Sequence, residues 1–289
     1  MQEIRSYNKL TQTTHQTVIE PGNAWLLPEV KSTWHYRELL YFLVWRDIKI
    51  RYKQTALGVA WVILQPVASM LIFTIIFGLL LKVPSEGVPY TVFAFSGLLP
   101  WYYFSGSLTR ASTSLVTSSN LITKVYFPRL TIPLSAILSN LFDFGISFLL
   151  LIGLMLIYRL PITASILFLP FFLLLAIITS LGFGLWFSAL NVRYRDVNYI
   201  MPFIVQMWMY LTPVIYSSTL IPEQFRFLLA LNPMTVVVEG FRWSLFGYAS
   251  TLSPQAKPLI ALGIFIMLAV LFTGARYFQK TERTFADII

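Results

Sequence analysis

Residues 41–67 read YFLVWRDIKIRYKQTALGVAWVILQPV. The first half alternates bulky apolar side chains with charge, at Trp45, Arg46, Asp47, Lys49, Arg51 and Lys53. From Leu57 onward no charged residue occurs until Lys82. A mostly basic segment running straight into an uncharged apolar one is the pattern of a chain that leaves water, crosses headgroups and enters lipid. Residues 57–81 are long enough, at about 1.5 Å per residue, to cross about 30 Å of hydrocarbon. The segment before them, 34–53, reads as a helix lying at the interface, with Ser32 or Thr33 placed to cap it.

Composition agrees with this reading. The chain has 289 residues, 57% of them hydrophobic and only 11% charged. A soluble domain carries about 25% charged residues, so the class is a polytopic membrane protein. The net charge of +9 is assigned to loops beside anionic lipid and not to nucleic acid. There are no cysteines, which excludes a disulfide scaffold and a thiolate metal site. Residues 1–25 have no apolar core, so no cleavable signal peptide is expected.

Further along the chain, apolar regions follow at 90–108, 132–158, 162–190, 199–216 and 259–277. The first of these contains Pro100 and is expected to be broken or kinked. Residues 110–129 are polar, with room for one short helix capped by Ser118 or Ser119. Asp143 lies midway along the third span, where it must face protein or water; Asn140 and Ser147 are the partners in reach on its own helix. Ser180, Gly184 and Ser188 form a small-residue stripe suited to close helix packing. Residues 225–247 are apolar but hold Asn232, Pro233, Glu239 and Arg242, and each charge near mid-bilayer would cost about 2.5–3.5 kcal/mol. They are read as a re-entrant helical hairpin broken at Asn232-Pro233.

With six spans and an inside N-terminus, 16 of the 21 Lys and Arg residues fall on the inner side; Lys82, Arg159, Arg226, Arg242 and Lys257 fall outside. The fold class expected is therefore all-α and polytopic: six transmembrane helices, an N-terminal interfacial helix, and an extracytoplasmic re-entrant hairpin between spans five and six. Both termini are cytoplasmic. The divisions are a cytoplasmic arm at 1–33, an interface helix at 34–56, a transmembrane domain at 57–277 and a tail at 278–289.

No phosphate-cradling Gly-x-x-x-x-Gly-Lys-Ser/Thr motif occurs, nor His-Glu-x-x-His, Gly-x-Ser-x-Gly or Gly-x-Gly-x-x-Gly. The only histidines, His15 and His35, lie in the N-terminal region. No catalytic or metal-binding residue is assigned. A membrane glycan-modifying enzyme working from a few carboxylates stays open as an alternative.

Four segments carry a resemblance: residues 41–67, then SGLLPWYYFSGSL (96–108), LNVRYRDV (190–197) and LNPMTVVVEGFRWSLFG (231–247). In order and spacing they resemble the membrane subunit of bacterial ABC-2-type polysaccharide exporters, the family of O-antigen, teichoic-acid and capsule export. The resemblance implies a bacterial inner-membrane homodimer paired with two copies of a separate cytoplasmic ATPase. That partner, and not this chain, would bind ATP and Mg. The implied cargo is a lipid-linked polysaccharide moving through a channel between the subunits; an ABC-2 exporter of a small lipid or drug is the nearest alternative.

By position in the family, Arg46, Asp47, Lys49 and Arg51 on the interface helix, and Ser119, Asn120 and Lys124 on a coupling helix, are candidate ATPase contacts. For the basic group the bland reading is an anchor on lipid headgroups, and the two are compatible. Arg193, Arg195 and Asp196 form a cytoplasmic loop, either a solvated turn or a clamp. Trp101, Tyr102, Tyr103 and Phe104 are candidate channel aromatics, because sugar rings present C–H faces that slide on flat rings. Most other aromatics, Trp208, Tyr210 and Tyr216 among them, fit packing and the interfacial belt. Asn232, Pro233, Glu239 and Arg242 are candidates for an outer gate.

Overall fold

In the computed structural model, residues 32–53, 60–247, 257–282 and 285 are described. The expected arm and the junction at 54–59 lie outside them. All the regular structure in these residues is helical.

The helices are α1 (Arg37–Lys53), α2 (Ala60–Phe73, continued by a π-helical turn Thr74–Leu80), α3 (Tyr90–Thr117), α4 (Ser119–Lys124), α5 (Thr131–Ile157), α6 (Leu169–Arg193), α7 (Val197–Leu211), α8 (Arg226–Ala230), α9 (Pro233–Phe246) and α10 (Lys257–Glu282). The axis of the bundle is α3. It packs against α2, α5, α6, α7 and α9, and 19 of its 28 residues are buried.

Two expectations for this region are corrected. Pro100 does not break α3; the helix runs through it. Packing on all sides overrides the lost backbone bond. The polar stretch after Arg110 is also not a loop. The hydroxyls of Ser112, Thr113, Ser114 and Thr117 donate back to carbonyls three or four residues earlier, so the polar side chains are satisfied within the helix. The short helix expected after it is α4, with Ser118 at its N-cap position but making no side-chain capping bond. Ile122 of α4 is buried, in a cluster with Leu115, Phe127, Ile132, Phe278 and Phe285. That cluster ties together the ends of α3, α4, α5 and α10.

Four helices are long and apolar enough to cross a membrane by length and composition: Ala60–Leu80, Thr131–Ile157, Ala164–Arg193 and Pro258–Glu282. The other two expected spans fall short of that standard for different reasons. α3 is diluted by Ser, Thr, Gly and Arg110 and owes its burial to its neighbours. α7 has 15 residues, about 22 Å at 1.5 Å per residue, against about 30 Å of hydrocarbon.

The small-residue stripe faces α3: a Cβ on Gly184 would lie 2.9 Å from the Ala111 methyl, and Ser180 and Ser188 are fully buried. A second close approach has no stripe to announce it. Gly182 of α6 and Gly274 of α10 meet backbone to backbone; a Cβ on Gly182 would sit 2.8 Å from the Leu271 nitrogen, and one on Gly274 would collide with the Gly182 carbonyl. The break at Asn232-Pro233 is where the sequence puts it: α8 ends at Ala230 and α9 begins at Pro233. Of α9, only Trp243 is not buried.

Gly274→Ala should therefore destabilise the bundle by about 1–3 kcal/mol, the usual cost of overpacking. Gly153→Ala, with nothing within 4 Å of its added methyl, should not. Thermal unfolding of the two variants in detergent compares the same chemical change at a closed and an open position.

Candidate functional site

The site begins with the pairing of α1 and α5. Asp47 accepts from the Ser135 hydroxyl at 3.3 Å. One turn on, Arg51 donates to Ser139 at 3.2 Å and Asn140 at 3.4 Å, and forms a close ion pair with Asp143. Tyr52 donates its hydroxyl to the other carboxylate oxygen. Partners advance in step along both helices, so α1 runs alongside the first half of α5 in the same direction. α5 is joined to α3 in turn: the Asn140 amide donates to Ser107 at 3.2 Å and to the Tyr103 carbonyl at 3.4 Å. From α3, Arg110 reaches the same Asp143 at 3.5 Å, while the Tyr102 hydroxyl donates to Ser69 of α2 at 2.7 Å.

These four helices enclose a cavity of about 650 Å³. Its wall carries Arg51, Arg110 and Asp143, the hydroxyls of Tyr52, Tyr102 and Tyr103, and the Trp61 ring. Burial, and the carboxylate it donates to, push the Tyr52 hydroxyl above its ordinary range, so it stays a neutral donor. Two guanidiniums around one carboxylate leave the cavity one positive charge in excess. Among the described residues, no group of three or more His, Cys, Asp or Glu could hold a metal ion. The wall offers hydrogen-bond donors and aromatic surface, suited to holding an anionic or sugar-like group.

Asp143 thus does not pair with Asn140 or Ser147, the partners its own helix offers. Its partners come from α1 and α3. The sequence held a signal for Arg110: a lone carboxylate in an apolar span needs a cation from another helix, and Arg110 stands where α3 turns from apolar to polar.

The other candidate residues divide by face. On α1, Arg51 and Asp47 turn toward α5, while Arg46 pairs with its neighbour Asp47 at 2.9 Å and is 41% exposed. Lys49 lies over the exposed Trp45 ring at 5.3 Å. Arg46 and Lys49, with Arg37 and Lys53, are the exposed basic residues of α1. Asn120 and Lys124 of α4 are exposed and Ser119 is half-buried. Arg193, Arg195 and Asp196 are exposed and make no ion pair among the described residues; the turn is held instead by Asn191, whose amide donates to the Ser112 carbonyl and to Asn198, both at 2.8 Å.

The four aromatics after Pro100 separate. Tyr102 and Tyr103 line the cavity, although Tyr103 is as buried as Trp101. Trp101 and Phe104 are buried in this subunit, Phe104 edge-on to Trp208 with ring centres 5.0 Å apart. Asn232 takes hydrogen bonds from Trp208 at 2.9 Å and from the Met234 backbone at 3.1 Å, and gives one to Thr212 at 2.8 Å; with Pro233 it starts α9 and fastens it to the end of α7. Glu239 and Arg242 are buried together, 3.6 Å apart. Of the four residues read as a gate, Pro233, Glu239 and Arg242 are buried and Asn232 is half-buried.

Comparison with known proteins adds the following. Residues 38–246 match the family described as ABC-2 type transporter. The chain is 32% identical over 262 residues to the O-antigen export system permease protein RfbA of Myxococcus xanthus, covering 90% of this chain and 98% of that one. It is 29% identical over 253 residues to the protein of the same name from Klebsiella pneumoniae, covering 87% and 95%. With the polysialic acid transport protein KpsM of Escherichia coli it shares 27% over 239 residues, covering 82% and 91%.

Arg51→Ala and Asp143→Ala should each cost about 2 kcal/mol, as expected for losing hydrogen bonds to a charged group. The double variant should cost clearly less than their sum, a coupling that unfolding measurements on all four proteins would reveal. Strict additivity would mean that the two side chains do not meet.

Proposed function

The chain belongs to the ABC-2 type transporter membrane family, and from that premise we propose that it is the transmembrane subunit of an ATP-driven exporter of a lipid-linked, O-antigen-like polysaccharide. The observation that carries this reading is the end-to-end likeness to a relative named as an O-antigen export permease, spanning 98% of that protein. The remaining features follow from it. Two copies of the chain form a channel across the bacterial inner membrane. Two copies of a cytoplasmic ATPase bind ATP and Mg and drive it. The chain itself performs no hydrolysis.

Six spans, with α3 and α7 as the second and fifth, keep both termini in the cytoplasm and put 16 of the 21 basic residues on that side. Residues 226–246 then form a re-entrant hairpin on the outer side. α7 supports a channel between copies: only Met201 is buried, while Tyr199, Phe203 and Tyr210 are all more than half exposed. A helix too short for the hydrocarbon layer, with aromatic rings on its free face, fits a channel wall better than a lipid-facing flank. A polymer longer than the protein cannot fit inside a closed alternating-access chamber, so a continuous passage is required. Arg46 and Lys49 on α1 with Asn120 and Lys124 on α4 are the surfaces offered to the ATPase.

The test is co-expression with a cytoplasmic ATPase of the same transporter class, followed by reconstitution. Nucleotide turnover should depend on this chain and rise with lipid-linked polysaccharide. Stimulation by small lipids or drugs alone would move the chain to the other branch of the family, and full activity on a lipid-linked sugar without any ATPase would make it an enzyme. Arg46→Glu or Lys49→Glu should lower export about tenfold or more, as expected for lost charge complementarity at a docking surface, while membrane insertion stays normal. Unchanged export in both would remove α1 from the motor contact.

A further inference from the structure

We propose that the cavity between α1, α2, α3 and α5 binds the phosphate or diphosphate headgroup of an amphiphile, with Arg51 and Arg110 as its ligands and Asp143 as the internal anion it displaces. Only the identity of the amphiphile rests on the export reading above; the site itself rests on the geometry.

The charge balance is the first argument. The charged groups facing the cavity are Arg51, Arg110 and Asp143, with the Tyr52, Tyr102 and Tyr103 hydroxyls beside them. One carboxylate is shared by two guanidiniums and a phenol. The Asp143 oxygens are taken up by Arg51 and Tyr52, whereas Arg110 has a single 3.5 Å ion pair and a side chain 39% exposed. A guanidinium carries five N–H donors in a planar fork that fits two phosphate oxygens at once. The site therefore holds more donors than its own carboxylate can accept. A group with more charge and more oxygens than a carboxylate is what would take them up.

Depth is the second argument. Arg110 stands 20 residues along α3 from Tyr90, about 30 Å at 1.5 Å per residue, the thickness of the hydrocarbon layer. Arg51, its partner across the cavity, lies on α1 ahead of the first apolar span, so the two arginines stand toward the headgroup side of the bundle. The third argument is room. At about 650 Å³ the cavity falls within the roughly 300–1,000 Å³ of small-molecule sites. It has space for a sugar ring beyond the phosphate, against Tyr102 and Trp61.

Displacement of Asp143 gives occupancy a consequence. Arg51 belongs to α1 and Asp143 to α5. A headgroup that draws Arg51 away removes the main charged tie between these helices. Loading of the cavity is then felt by α1, whose other face carries Arg46 and Lys49.

The experiment uses the full chain in phosphatidylcholine nanodiscs, titrated with hexadecyl diphosphate and followed by native mass spectrometry. Wild type should bind it, and Arg110→Gln should weaken binding by about tenfold or more, as for loss of a charge-assisted pair. Asp143→Asn should tighten binding, because the competing charge is gone; a purely structural Asp143 predicts the reverse. Unfolding temperatures establish that each variant is folded. Phosphatidylglycerol that competes equally upholds the headgroup site and makes a bilayer lipid its occupant. Failure of phosphatidylglycerol to compete points to a carrier-lipid cargo, and equal competition by inorganic diphosphate to a free anion. Affinity within about twofold of wild type in Arg51→Gln/Arg110→Gln, or weaker binding in folded Asp143→Asn, overturns the proposal. Arginine-dependent binding in a chain that supports no ATP-driven export would leave the site standing and remove the export reading. Normal export without such binding would do the opposite.

Discussion

A single buried guanidinium holds the middle of the bundle together. After α7 ends at Leu211 the chain is non-helical until Ser218, and backbone carbonyls inside a bundle that excludes water need donors. Arg242 supplies them. It donates to Pro213 at 2.7 Å, Val214 at 2.5 Å and Tyr216 at 3.3 Å, while Tyr90 donates to Ile215 at 2.5 Å. The guanidinium lies 3.8 Å over the Phe93 ring, with Glu239 as counter-charge. Room for it exists because residue 97 is glycine: a Cβ there would come within 2.7 Å of the guanidinium and 2.5 Å of the Val214 carbonyl. One side chain thus fixes α9, the segment after α7 and the central helix relative to one another.

The structure contains two charged clusters with opposite characters. Around Arg242 the charge is enclosed, and its donors go to backbone oxygens that cannot leave. Around Asp143 the groups are half-buried, come from three helices and border an open cavity. Buried ionic groups are tolerated where their atoms are satisfied; in the first cluster both terminal nitrogens of Arg242 are, while its Nε is buried without a hydrogen bond. The second holds donors in excess, which suits a place where partners change.

How much of this the sequence disclosed varies with the kind of signal. The helix at 37–53, the break at Asn232-Pro233 and the short helix after Ser118 are local features, set by charge pattern, proline and polar turn residues, and they appear where the sequence indicates. Pro100 misled because local chemistry favours a break and surrounding helices overrule it. The serines and threonines after Arg110 read as loop residues by polarity, yet each hydroxyl can bond back to its own helix. Trp101 and Phe104 could not be told from Tyr102 and Tyr103 by sequence, since burial depends on which face of α3 meets α6 and α7. Arg51 and Asp143 are 92 positions apart, and no periodicity links residues so distant. Gly182 and Gly274 are hidden for the same reason: Gly182 lies off the Ser180–Gly184–Ser188 stripe, and Gly274 belongs to no small-residue stripe on α10.

The pairing of α1 with α5 also sets an order of events in synthesis. Arg51 emerges 92 residues before Asp143. Throughout that interval it has no α5 to dock on, and its charge favours the headgroups on the side where it was made. When α5 inserts, the carboxylate that would burden its entry into lipid meets a waiting cation. The cation that precedes the first apolar span in the sequence is thus the one that meets the carboxylate of a later helix.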